Sequence, residues 1–134
     1  MLTLSSLNEL GAIIDKACDT NNLEELTTII SFHSEYTDSM KDSLEKTYSY
    51  YLLGNAWNGI RKINHQENID EDWSLEQEEV FQEIYYFRKV IQQENFKEID
   101  LSIQLATYVN LGNAFSHYGR TVNAIKYSYY FERT

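Results

Sequence analysis

The chain has no proline and only five glycines among its 134 residues. Because proline breaks helix interiors and punctuates loops, its absence favours long helices joined by short turns. The segments richest in β-formers, "TYSYY" and "IYYF", lie inside runs of helical periodicity. A hydrophobic fraction of 43% is enough to give a chain of this length an apolar core. The sequence therefore predicts one all-α domain.

Cysteine is nearly absent as well, since Cys18 is the only one. A single cysteine cannot form an internal disulfide, which favours a reducing compartment. With no histidine near it in sequence, Cys18 is expected to be a small buried side chain and not a nucleophile. The N-terminus lacks a signal-peptide pattern, and no apolar run approaches the ~20 residues of a membrane span. We expect a cytoplasmic protein that does not contact a membrane.

Positive charge is scarce, because 11 Lys and Arg stand against 21 Asp and Glu and give a net charge of −10. This balance argues against a nucleic-acid partner, since phosphate binding needs clustered basic side chains. The acid is concentrated at residues 67–83, which hold eight carboxylates and no Lys or Arg. Two interpretations of this segment stay open: a docking surface for a basic partner, or a solvated surface.

Signatures of catalysis are missing too. The three histidines at 33, 65 and 117 form no metal-binding pattern, and no phosphate-binding glycine loop or nucleophile elbow is present. Arg61 and His65 resemble the Arg…His motif of HEPN-type helical ribonucleases, but only three residues separate them where that motif has four to six. We predict a protein without catalytic activity, metal or cofactor, and keep a helical ribonuclease as an alternative.

Signals for helix starts divide the chain. A polar side chain precedes Glu or Gln by three residues, as in a capping box, at Ser6–Glu9, Asn22–Glu25, Ser74–Gln77 and Asn95–Glu98. Together with the apolar periodicity, these signals predict six helices: two in a hairpin at 6–34, then 39–60, 74–93, 97–118 and one from Thr121. The polar stretch 64–72 is predicted to be a loop, and Gly119 is expected to end the fifth helix in a left-handed conformation.

Two stretches are near-copies of each other, "LLGNAW" at 52–57 and "NLGNAF" at 110–115. Each places a glycine, Gly54 or Gly112, in mid-helix, where glycine costs about 1 kcal/mol relative to alanine. Aromatic and leucine residues at helical spacing put each glycine on an apolar stripe. We therefore expect both glycines to mark the close approach of a neighbouring helix, with Ala124 facing Gly112 across the last hairpin.

The second of these stretches resembles a tetratricopeptide repeat. The clearest match covers 105–130, and its characteristic positions are Tyr108, Leu111, Gly112, Phe115, Gly119 and Ala124. Residues 47–60 match only the first half of that repeat, and Ser128 stands where the family usually has an aromatic residue. The resemblance implies antiparallel hairpins stacked as a short right-handed solenoid within a single domain, 1–134. Its units would be a degenerate hairpin at 6–34, an enlarged repeat at 39–93 and a repeat at 97–134.

The last predicted hairpin ends without the polar capping helix that usually closes such arrays. This leaves two hypotheses. In the first, the natural chain continues beyond Thr134, for example into an effector domain of the same protein. In the second, the aromatic residues within 127–131 form a homodimer contact.

The resemblance also implies a binding site in the concave groove built by the first helices of successive hairpins. The predicted partner-binding residues are Tyr48, Tyr51, Asn55, Asn58, Asn110, Asn113 and His117. An asparagine amide can both donate to and accept from the backbone of an extended peptide. The basic residues with which the best-known variant of the family holds a C-terminal carboxylate are replaced here by Tyr48, Tyr51, Ala106 and Val109.

From these features we predict a non-catalytic module that binds a peptide or docks another protein domain. The partner is expected to be a protein or peptide, and a basic one if the acidic segment takes part. A regulatory peptide sensor that transmits a hinge change through loop 64–72 is the alternative.

Overall fold

Residues 3–65 and 78–132 are described by the computed structural model, with residues 117–132 described by their backbone. This part of the chain contains no strand, so the predicted all-α fold is confirmed. It forms five α-helices where six were predicted. Their bounds are Leu4–Asp19 (α1), Leu23–Ser39 (α2), Leu44–His65 (α3), Glu78–Gln92 (α4) and Leu101–Glu132 (α5), with one turn of 3-10 helix at Phe96–Glu98.

The first helix begins three residues earlier than the predicted cap at Ser6. Thr3 is the N-cap: its hydroxyl accepts a hydrogen bond from the Ser6 backbone N–H at 3.1 Å, and the Ser6 hydroxyl accepts one from the Thr3 N–H at 2.9 Å. This reciprocal pair satisfies two N–H groups that the helix leaves without partners. Serine therefore takes the place that glutamate holds in the usual pattern, and the expected box between Ser6 and Glu9 is wrong.

The hairpin between α1 and α2 forms where it was predicted. Asn21 adopts a positive φ of 55° in the connection, a conformation that asparagine tolerates better than most residues. Asn22 caps α2, because its side-chain oxygen accepts from the Glu25 N–H at 3.1 Å while its amide donates to the Glu25 carboxylate at 3.2 Å. The capping pattern at Asn22 and Glu25 is thus confirmed.

The second and third helices are both displaced relative to their predicted bounds. α2 continues to Ser39, and α3 starts at Leu44, where the Ser43 hydroxyl accepts from the Lys46 N–H at 3.1 Å. α3 also continues to His65, so residues 64 and 65 are helical and not the start of a loop. The rest of the predicted loop 64–72, and the predicted cap at Ser74 and Gln77, lie outside the described residues.

Helix α3 lies at the centre of the molecule and packs against α1, α2 and α4, while α5 packs against α4. One apolar cluster joins α3 to α1 and α2 through residues such as Ile14, Leu26 and Leu52. A second cluster joins α3 to α4 and to Phe96 before α5. A third joins α4 to the middle of α5 and contains Phe87, which is fully buried. The core is therefore built on α3, against which α1, α2 and α4 bury apolar stripes, and α5 extends it by packing on α4.

The glycines of the repeated stretches are both buried in mid-helix, as predicted. A Cβ built on Gly54 would stand 2.7 Å from the Phe87 ring, so this glycine does permit the close approach of α4 to α3. The aromatic and leucine residues beside it, Tyr50 and Leu53, are buried in the same contact. Gly112 is buried next to Leu111, which packs on α4.

The last predicted hairpin is wrong. α5 is continuous from Leu101 to Glu132, so Gly119 lies inside a helix instead of ending one. Ala124 cannot face Gly112 across a hairpin, because residues 12 apart on one helix are separated by about 18 Å along its axis. The match at 105–130 to a two-helix repeat therefore corresponds to one long helix in this structure.

The predicted helix start at Asn95 is wrong as well. Asn95 makes no side-chain capping bond, and only a 3-10 turn follows it before α5 begins at Leu101. Its side-chain oxygen instead accepts a hydrogen bond from the buried Thr47 hydroxyl of α3 at 2.5 Å. A tertiary partner has replaced the local one, and the chain needs five further residues before it becomes α-helical again.

Candidate functional site

A groove lies between α1, α3 and the segment that leads into α5. Its larger end is a cavity of about 690 Å³. Each of the three elements presents one helical face or one turn to this cavity, at spacings of three and four residues along α1 and α3. The lining residues are Leu4, Asn8, Gly11, Ala12, Asp15, Leu44, Tyr48, Tyr51, Leu52, Asn55, Glu98, Ile99, Asp100, Ser102 and Ile103.

A second cavity of about 450 Å³ continues along the same three helices. Asp15 and Asn55 line both cavities, so the two cavities adjoin at these residues. The second end also holds Asn58 and Lys62 of α3 and Asn110 of α5. We call the two cavities together the α1/α3/α5 groove. An elongated cleft of this kind can take an extended chain segment along its length.

Two tyrosines on α3 form part of the wall of the larger cavity. The rings of Tyr48 and Tyr51 lie 6.2 Å apart, centroid to centroid, and are tilted by 34°. The Tyr48 hydroxyl donates to the side-chain oxygen of Asn8 on α1 at 3.0 Å, which fixes its position against α1. Burial, with smaller contributions from Tyr51 and Asp15, raises the pKa of the Tyr48 phenol above its usual value. At neutral pH this phenol is therefore a neutral hydrogen-bonding group.

The third wall of the groove is the turn that precedes α5. The hydrogen bond between Thr47 and Asn95 ties this turn to α3. Phe96 is buried and packs edge-on against Tyr108 of α5, with 5.6 Å between the ring centroids. The Gln104 side-chain amide donates to the Ile99 carbonyl at 2.9 Å and closes the turn from the α5 side. These contacts fix the backbone of a turn that would otherwise be free to move away from the groove.

Negative charge dominates the groove. Asp15 and Asp19 of α1, with Glu98 and Asp100 of the turn, contribute four carboxylates, whereas Lys62 is the single basic residue among the lining residues. The Asp100 carbonyl accepts from the N–H groups of Ile103 and Gln104, which places Asp100 at the N-terminus of α5. A carboxylate is electrostatically favoured at a helix N-terminus.

Five of the seven residues predicted to bind a partner line this groove: Tyr48, Tyr51, Asn55, Asn58 and Asn110. Asn113 is exposed on α5 but does not line either cavity. The side chain of His117 lies outside the described residues. Asn8, Asp15, Glu98 and Asp100 were not predicted, because the signal used to find the site was the repeated stretch, which α1 and the turn before α5 lack.

One predicted groove residue, Asn58, also takes part in a buried polar cluster. Its amide donates to Glu83 of α4 at 2.6 Å, and the same carboxylate pairs with Arg61 of α3 at 2.6 Å. The Arg61 and Glu83 side chains are 4% and 0% exposed, so the ion pair is removed from water. Sequence reasoning placed Glu83 in a solvated or docking segment and considered Arg61 as a catalytic residue. The structure gives both a structural partner, while the side chain of His65 lies outside the described residues.

Two other cavities lie away from the groove. A cavity of about 780 Å³ is lined by α4 residues that include Phe81, Tyr85 and Arg88. Another, of about 480 Å³, lies between α2, α3 and α4 and includes Trp57. The Trp57 indole N–H is buried and has no hydrogen-bond partner among the described residues. Neither cavity contains Tyr48, Tyr51, Asn55, Asn58 or Asn110, so the repeated stretch points to the groove alone.

In the part of the chain that the structure describes, no three His, Cys, Asp or Glu side chains stand close enough to hold a metal ion. None of the described helices is both long enough and apolar enough to cross a membrane. Comparison with protein-family models, with curated proteins and with solved structures finds no match. The geometry of the groove is therefore the basis for any functional assignment.

Proposed function

We propose that this protein is a non-catalytic interaction module that binds an extended peptide segment in the α1/α3/α5 groove. The observation that carries the proposal is that five residues predicted from the repeated stretch, on two different helices, line one continuous groove. In this proposal α1 with α2, and α3 with α4, are two stacked hairpins of a short tetratricopeptide-like solenoid, and α5 is the first helix of a third. The packing of α2 on α1 and α3, and of α4 on α3 and α5, supports that arrangement.

Asn55 is the central contact of the proposed site. It is only partly buried, and it lines both cavities, so a peptide lying along the groove would pass over its amide. The amide can donate to a peptide carbonyl and accept from a peptide N–H. Ile99 and Ile103, which are only partly buried, add apolar surface to the larger cavity, where alternate side chains of an extended peptide can pack.

A peptide-display selection against the whole chain tests the proposal. Peptides recovered from a random library are expected to bind the Asn55→Ala variant about tenfold more weakly, the factor that corresponds to losing one or two hydrogen bonds. Gln92→Ala is the matched control, because it removes an exposed amide from α4, outside the groove. Equal weakening by the two variants, or no effect of Asn55→Ala, contradicts the proposal.

A further inference from the structure

We infer that the α1/α3/α5 groove selects a peptide segment that carries Lys or Arg side chains. This inference rests on the proposed function, because it names the chemistry of the partner for the same groove. It differs from the earlier hypothesis of a basic partner on residues 67–83, since the carboxylates that would recognise the partner belong to α1 and to the turn before α5.

The acidic residues that line the larger cavity come from two of its walls. Asp15 belongs to α1, and Glu98 and Asp100 belong to the turn that precedes α5. No Lys or Arg lines this cavity among the described residues, and Lys62 lines only the other end of the groove. A cationic side chain in this cavity would therefore be attracted by carboxylates of both elements, and an acidic peptide would be repelled.

The tyrosines strengthen this preference. Lys and Arg are attracted to the faces of aromatic rings within about 6 Å, and the chain already uses this contact elsewhere. Lys46 lies 5.9 Å from the Tyr50 ring centroid, and Lys89 lies 5.4 Å from that of Tyr85. Among the described residues, no cation of the chain occupies that position over Tyr48 or Tyr51. Asp15 also lies close enough to Tyr48 to help raise its pKa, so a carboxylate and an aromatic ring occupy the same part of the cavity.

The net charge of the protein does not account for this pattern. The cavity on α4 is lined by Arg88 and Lys89 and by no carboxylate among the described residues. Lys16 of α1, Lys46 of α3 and Lys97 before α5 belong to the elements that form the groove, yet none of them lines the larger cavity. Of these two surfaces the groove carries the negative charge, so a basic segment would be directed there in preference to the α4 surface.

Fluorescence anisotropy with three labelled random-peptide pools of equal length tests the inference. One pool contains Lys and Arg at alternate positions, and the other two contain Gln or Glu at those positions. The basic pool is expected to bind the whole chain about tenfold more tightly than the Gln pool, and the Glu pool is expected to bind least. The preference should weaken as salt is added, because exposed ion pairs are screened.

The double variant Asp15→Asn with Asp100→Asn should reduce the affinity for the basic pool most of the way towards that for the Gln pool, since Glu98 remains in the larger cavity. Asparagine caps helices about as well as aspartate, so the start of α5 is expected to remain intact, which circular dichroism checks. Glu35→Gln is the matched control, because it removes an exposed carboxylate from α2, away from the groove. This control should leave the preference for the basic pool unchanged.

The possible failures can be told apart. Equal binding of the basic and Gln pools, weakened by Asn55→Ala, overturns the charge preference and leaves the proposed groove in place. A preference for the basic pool that is undiminished in the Asp15 and Asp100 double variant also overturns the inference, since the charge would then act elsewhere. Absence of binding by all three pools overturns both the inference and the proposed function.

Discussion

Gly54 sets the distance between α3 and α4. The Phe87 ring would lie 2.7 Å from a Cβ at this position, which is closer than non-bonded carbon atoms come, and Phe87 is fully buried and cannot move into solvent. The neighbouring Gly11 of α1 is less restricted, because its nearest neighbour, the Leu52 Cδ2 atom, would lie 3.3 Å away. Two glycines in helices of the same protein thus have different packing roles.

We expect Gly54→Ala to lower the free energy of unfolding by about 1–2 kcal/mol. Overpacking a buried contact costs about 1–3 kcal/mol, and an approach of 2.7 Å to a fully buried ring belongs to the upper part of that range. The higher helix propensity of alanine returns about 1 kcal/mol of this cost. Gly11→Ala is the control, with an expected change near zero, since the same gain in propensity meets a smaller steric conflict. Urea denaturation of both variants measures the difference, and equal stability of the two would contradict the packing role of Gly54.

The partly buried His33 is expected to make the free energy of unfolding depend on pH. Burial lowers the pKa of its imidazole below the ordinary value, so the folded state favours the neutral form. The unfolded chain therefore binds a proton more readily, and stability that is fully present above the ordinary pKa is lost as the pH falls below it towards the folded value. Thermal unfolding of the wild type and of His33→Gln across this range should show a smaller loss in the variant. Parallel curves would exclude a contribution from His33.

At the scale of helices, the Arg61–Glu83 pair fixes α4 against α3. Removing one partner leaves an unpaired buried charge, which typically costs 3–5 kcal/mol. We therefore expect Glu83→Leu alone to destabilise the chain by about that amount, while Arg61→Met with Glu83→Leu should recover most of the loss because both charges are then absent. Denaturant unfolding of the single and double variants measures the coupling. A double variant as unstable as the single one would contradict the assigned role of the ion pair.

The continuity of α5 can be measured as a distance. Spin labels at positions 102 and 128, introduced in a Cys18→Ala background, should be separated by about 39 Å, because 26 residues of α-helix rise 1.5 Å each. A hairpin with a turn at Gly119 would bring the same positions to within about 20 Å. Pulsed electron paramagnetic resonance distinguishes the two distances. A short distance would contradict the continuous helix and support the two-helix repeat that the sequence resembles.

Capping patterns and apolar periodicity predicted the helices correctly where each side chain contacts residues close to it in sequence. The Asn22 cap and the apolar stripes around Gly54 and Leu111 depend on residues within one or two turns, and the structure confirms them. Asn95 and Gly119 were assigned from the same kind of signal and were wrong. Asn95 bonds to Thr47, which is 48 residues away in sequence, and a glycine permits a left-handed turn but does not require one. The sequence pattern alone therefore does not determine whether Asn95 caps a helix or whether Gly119 ends one.

In the groove, too, some residues could be predicted from local sequence patterns and others could not. Its α3 residues could be predicted, because the repeated stretch marks which face of that helix is buried and which is left open. Asp15, Glu98 and Asp100 could not, since their approach to Tyr48 and Tyr51 depends on how α1 and the turn before α5 pack on α3. The sequence predicts a groove with polar and aromatic contacts, and the structure adds its negative charge.

The location of bound peptide tests the central claim most directly. Isotope-labelled protein can be titrated with a peptide from the basic pool while backbone amide signals are followed by nuclear magnetic resonance. We predict shifts concentrated at α1 around Asp15, at α3 from Tyr48 to Asn58, and at the turn around Asp100. Shifts confined to the α4 surface around Tyr85 and Arg88, with the groove signals unchanged, would contradict the account.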